Sequence, residues 1–178
     1  MAETSERLYS RLVPLSATPT RRELRRTRAR RTVPAMPADP FIGELETISP
    51  QRRRLAQGFF RRSVLASYDG ICCITGNNVP ALLSASHIAP WAMYPTHAAD
   101  PSNGLCLEWT MDRAFDRGFI SLDEDHRIII SKSLREYLPN DAVRQRIIVY
   151  EGAEITLPQK FHPSVMCLEI HRRDVFLG

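Results

Sequence analysis

One stretch of this chain constrains its fold more than any other. Leu82 to Ile88 reads as a short strand holding His87 at its end, and Leu105 to Trp109 reads as a second strand. Residues 92–102 between them contain two prolines and Asp100, the composition of a loop. Thr110 then caps a short helix through Arg117, and Gly118 stops it. Met111, Ala114 and Phe115 recur along that helix at the i, i+3, i+4 spacing of one apolar face. The pattern predicts a β-β-α unit over residues 82–117.

The flanking segments are simpler. Ser49 before Pro50 is a good N-cap with proline at the first helical position, and residues 51–68 are expected to be helical. Leu55, Phe59, Phe60, Val64 and Leu65 would form the apolar face, with Arg52, Arg53, Arg61 and Arg62 on the others. Asp69-Gly70 is a turn, Ile71 to Ile74 a short strand or knuckle, and Thr75-Gly76-Asn77-Asn78 a second turn. Phe119–Leu122 and Arg127–Ser131 predict a hairpin around Asp123-Glu124-Asp125, and a last helix runs from Pro163 to about Phe176. Trp91 and Trp109 are expected to be core residues at strand ends.

The chain has 178 residues, enough for one domain with a real core and a tail. No apolar run approaches the roughly eighteen residues of a membrane span, and the N-terminus lacks a signal-peptide core. The four cysteines do not suggest a disulfide framework, so a reducing, cytoplasmic setting is expected. Charge is uneven. Residues 1–40 carry nine arginines against Glu3, Glu6, Glu23 and Asp39, and residues 51–62 add five arginines and no acid. That concentration suits a polyanion partner, although a solvated tail would look the same. Residues 1–48 are therefore expected to be a basic, disordered tail, with a transit peptide or a start at Met36 as lesser alternatives. Residues 49–178 are expected to be one α+β domain.

His87 can act as a general base near neutral pH or be a hydrogen-bonded core histidine, and Asn103 before Gly104 can be a turn residue. The neighbouring residues decide the preference. Cys72-Cys73-Ile74-Thr75-Gly76, Ser86-His87-Ile88-Ala89-Pro90-Trp91, Asn103-Gly104-Leu105-Cys106-Leu107 and Ala114-Phe115-Asp116-Arg117-Gly118 together resemble the HNH endonuclease family, in its restriction-endonuclease-like branch. The likeness reaches upstream to Phe60-Arg61-Arg62 and Tyr68, and downstream to Leu157-Pro158 and His171-Arg172.

The resemblance implies a ββα-metal finger with an N-terminal helix, a following β-hairpin and a C-terminal helix. It implies metal-dependent hydrolysis of phosphodiester bonds in DNA, double-stranded by expectation, with His87 as general base and Asn103 orienting the histidine or its loop. It also implies a bacterial or phage setting, and leaves room for a homodimer or a partner protein that supplies specificity. Arg61, Arg62, Arg113 and Arg117 would bind phosphates, while His171, Arg172 and Arg173 would be functional or structural.

Two positions depart from the family. Met111 stands where a metal-binding histidine is usual, and Ser86 where many relatives have a carboxylate. A thioether is a poor ligand for Mg²⁺, so Met111 is a doubtful metal residue and more at home in the helix's buried face. Asp112 and Asp116 are the alternative ligands for Mg²⁺ or Mn²⁺, unless they only pair with Arg113 and Arg117. Adjacent Cys72-Cys73 with isolated Cys106 and Cys167 do not have the spacing of structural zinc knuckles. A weakened, DNA-binding relative is the alternative function.

Overall fold

The computed structural model describes residues 50–178; the expected tail over 1–48 and the Ser49 cap lie outside the described residues. Five helices and four strands are described: α1 (Pro50–Ser67), β1 (Leu83–His87), β2 (Gly104–Glu108), α2 (Trp109–Asp116), β3 (Ile120–Leu122), β4 (Ile128–Ile130), α3 (Lys132–Arg135), α4 (Asp141–Arg146) and α5 (Val165–Asp174). The result is an α+β fold whose centre is the expected β-β-α unit, with α1 before it, a hairpin after it and α5 at the end.

β1 and β2 pair antiparallel, from Leu83 opposite Glu108 to His87 opposite Gly104. Leu105, Cys106 and Leu107 of β2 are all fully buried, because α1 and α2 both pack on this small sheet. α2 contributes Met111, Ala114 and Phe115 to the core, as their spacing predicts. Glu108 rather than Thr110 is its N-cap, and makes no side-chain capping bond there. Gly118 lies just past the helix with φ +69, and a Cβ there would meet the Val175 carbonyl oxygen at 2.0 Å. A side chain is therefore excluded on both counts.

α1 is rotated from the expected phase. Ala56, Phe60 and Val64 face the core at four-residue steps, whereas Leu55 is 62% exposed and Phe59 and Leu65 are only half-buried. Gly104 sets that phase: a Cβ on it would lie 2.3 Å from Val64 Cγ2 and 2.9 Å from Phe60 Cζ. The helix thus approaches β2 at its one side-chain-free position. Gly104→Ala is expected to destabilise the domain by about 1–3 kcal/mol through overpacking, as a lowered urea midpoint would show.

β3 and β4 form the predicted hairpin, paired from Ile120–Ile130 to Leu122–Ile128. The short helices α3 and α4 had no counterpart in the sequence reading; Ser131 and Asn140 cap them through their side chains. α5 starts where Ser164 accepts from the Cys167 N–H, inside the expected span. Arg172 Nη1 donates to the Leu122 carbonyl at 2.9 Å and joins α5 to the hairpin. Among the described residues no helix is long and apolar enough to cross a membrane.

Candidate active site

His87 ends β1 with its ring stacked on Phe60 of α1, centroids 3.8 Å apart and planes 5° from parallel. Its Nε2 lies 2.9 Å from the Ala98 carbonyl oxygen. A carbonyl can only accept, so Nε2 carries the proton and Nδ1 keeps the lone pair. Burial lowers the His87 pKa below its usual value, and the Ala98 carbonyl offsets part of that by favouring the imidazolium. At neutral pH the ring is a neutral base.

Asn103 fixes the loop that carries Ala98. It is fully buried; Oδ1 accepts the Ala89 N–H at 2.7 Å, while Nδ2 donates to the Ala89 and His97 carbonyls at 3.2 and 3.1 Å. Both Nδ2 protons and one Oδ1 lone pair are thereby used inside the loop. Asn103 therefore does not reach a substrate as a catalytic group; it positions the peptides on either side of the His87 acceptor. The Tyr94 hydroxyl, on the same loop, donates to Asp174 at 2.5 Å and ties the loop to α5.

His87, Trp91, Ser86, Asp112 and Asp116 line one open pocket of about 310 Å³. Asp112 and Asp116 are one helical turn apart on α2. The Asp116 carboxyl has a raised pKa, chiefly from desolvation and then from the charge of Asp112; Arg113, the Ser86 hydroxyl and Arg117 pull it back. Asp116 sits at the exposed rim, where water screens its charge. Ser86 Oγ is buried near Asp116 and has no partner at hydrogen-bond distance. No ion pair among the described residues joins Asp112 or Asp116 to Arg113 or Arg117.

Several expected roles fall elsewhere. Met111 is 1% exposed in the core and does not line the pocket, so it is not available as a ligand. Arg61 Nη2 donates to the Leu83 carbonyl at 3.0 Å and ties α1 to β1, while Arg62, Arg113 and Arg117 are exposed. Trp91 is half-buried in the pocket wall, but Trp109 is 70% exposed as the first residue of α2 rather than a core residue. Arg53, which the sequence gave no reason to prefer over its neighbours, lies with its guanidinium carbon 5.0 Å from the Trp91 ring centroid. Only once Phe60 is placed on the His87 ring does the seven-residue step along α1 single out Arg53.

His171 backs the pocket and is structural. It is 1% exposed and stacked on Phe115; Nε2–H donates to the Phe115 carbonyl at 3.1 Å and Nδ1 accepts from the Ser121 hydroxyl at 2.8 Å. Burial pushes its pKa down to about 4. The unfolded chain then takes up the proton first, so His171 stabilises the fold fully above about pH 6.5 and progressively less as the pH falls towards 4. The loss is expected to reach about 3 kcal/mol, with His87 acting in the same direction, and His171→Gln should reduce it. Urea midpoints between pH 4 and 7 read this directly.

All four cysteines are free and buried. Cys72 Sγ accepts the Thr75 and Glu108 N–H groups at 3.4 and 3.3 Å, so the knuckle closes on a sulfur acceptor. Among the described residues no group of three or more His, Cys, Asp or Glu side chains is placed to hold a metal ion. The carboxylate pair is the remaining oxygen-rich set.

Comparison with curated proteins finds no match. Comparison with protein families matches residues 72–123 to the family described as HNH endonuclease. The matched segment contains β1, β2 and α2 in full, so the likeness to the HNH endonuclease family rests on that β-β-α unit.

Proposed function

We propose that the chain is a metal-dependent endonuclease that hydrolyses DNA with His87 as general base. The observation that carries this reading is the shared pocket: a neutral imidazole, whose Nδ1 keeps its lone pair, lines the same space as two carboxylates. Water donates its proton to His87 Nδ1 as its oxygen attacks phosphorus, and the Ala98 carbonyl steadies the imidazolium that forms. Asn103 keeps that carbonyl in place through the loop it closes.

The donor chemistry fits Mg²⁺ or Mn²⁺. Both are hard cations that favour oxygen, and Mg²⁺ commonly uses one or two carboxylates and keeps several waters. Asp112 and Asp116 would hold the ion, whose charge would stabilise the phosphate and the leaving oxygen. Desolvation and then the Asp112 charge raise the Asp116 pKa, and a cation relieves the second of these. Exposed Arg62, Arg113 and Arg117 would take phosphates of the strand around the site.

The second reading, a DNA-binding relative with weakened cutting, is favoured by one observation: the position of the usual histidine is Met111, inside the core. Incubation of chelator-stripped protein with end-labelled DNA and with RNA of matching sequence tests the first reading. Cutting of DNA that needs added Mg²⁺ or Mn²⁺ is expected. DNA retained uncut under those conditions would favour the second reading, and preferential RNA cutting would overturn the substrate.

A further inference from the structure

Arg53 and Trp91 stand beside the catalytic pocket with no part in the chemistry just described. Trp91 lines the pocket, its ring centroid 6.4 Å from that of His87 and tilted by 34°. Arg53 covers the Trp91 ring, and no carboxylate pairs with it among the described residues. On α1, Arg53 and Phe60 are seven residues apart, which places them on one helix face two turns apart. The face that stacks Phe60 on the base therefore also sets Arg53 on Trp91.

A guanidinium is planar and uses two different surfaces. Its face stacks on an aromatic ring, while its N–H groups point outward in the plane and can grip a phosphate in a fork. With its face on the Trp91 ring, Arg53 would keep its phosphate-binding edge free and lose motion before a ligand arrives. The spacings from His87 to Trp91 and from Trp91 to Arg53 together reach at most between three and four nucleotide steps, at roughly 3.4 Å of rise per step in one strand.

We propose that Arg53, held on the Trp91 ring, clamps a backbone phosphate of the strand entering the site, with Trp91 as its positioning residue. The clamp rests on the nuclease reading, because it needs a polynucleotide in the pocket. It binds phosphate without reading bases, so it acts on every sequence alike.

The test is equilibrium binding of a short DNA duplex in EDTA over a KCl series, by fluorescence anisotropy. Each neutralised phosphate contributes about −0.9 to the slope of log K against log salt. Arg53→Gln is expected to flatten the slope by about 0.9 and weaken binding about three- to tenfold near physiological salt. Arg53→Lys should keep the slope and lose part of the affinity. Trp91→Leu should weaken binding in the native background but add nothing to Arg53→Gln, and Trp91→Phe, which keeps a ring and the packing, should bind nearly as the native chain does. A native slope in Arg53→Gln would overturn the clamp alone. Equal losses from Trp91→Leu in both backgrounds would overturn the positioning role, because the ring would then touch DNA itself. A native chain that binds no DNA at any salt would remove the nucleic-acid reading, and the clamp with it.

Discussion

Replacing His87 with alanine is expected to lower the single-turnover cleavage rate by about 10²–10⁴-fold, the usual range for a positioned general base, with duplex affinity unchanged. The ring does one thing that no neighbour can do: it lines the pocket with an unprotonated Nδ1 left over once the Ala98 carbonyl fixes Nε2. His87→Gln is the useful companion, since an amide can still donate to Ala98 but cannot accept a proton at neutral pH. It should fold better than His87→Ala and be as inactive. The pH profile adds a second readout. Because burial lowers the His87 pKa, the base stays neutral to lower pH, and the acid limb of the rate should fall below about 6.5. Rates measured from pH 4.5 to 8 check this. A limb at or above 6.5, or full activity in His87→Gln, would remove His87 from the role.

The second large effect concerns the carboxylates. Asp112→Asn and Asp116→Asn should each raise the Mn²⁺ concentration for half-maximal cleavage by more than tenfold, as expected when one of two protein ligands is neutralised. Their effect on stability should have the opposite sign. Without metal the two like charges are one turn apart, so losing one charge should leave the domain equally or slightly more stable, by about 0.2–0.5 kcal/mol. If the aspartates were only structural partners of Arg113 and Arg117, both substitutions would destabilise the helix and leave the metal response unchanged. Mn²⁺ titration by calorimetry, together with urea denaturation in EDTA, separates the two cases.

The β-β-α unit was legible because local signals mark its edges: His87 at a strand end, the proline-rich loop, and Gly118 where only positive φ continues the chain. Met111 was legible for the same reason, since i, i+3, i+4 spacing puts it with Ala114 and Phe115 in the core. The phase of α1 was not. Leu55 looks like a core residue until Gly104, nearly fifty positions on, admits Phe60 and Val64 instead. Trp109 was misread because β2 ends one residue early and its side chain starts a helix outside the core. Asn103 could be seen as important but not as buried; its three partners at Ala89 and His97 exist only once the loop is closed. The contact between Arg53 and Trp91 is likewise tertiary, and nothing local singles out one arginine in a run of three.

The most direct test of the account is conversion of supercoiled plasmid by the native chain after removal of divalent ions and stepwise return of Mn²⁺. The account predicts no product in EDTA and nicked or linear DNA as Mn²⁺ is restored, with His87→Gln inactive at every concentration. Salt-dependent plasmid binding without product at any Mn²⁺ concentration would contradict it, and would identify the pocket as a binding site that does not cut.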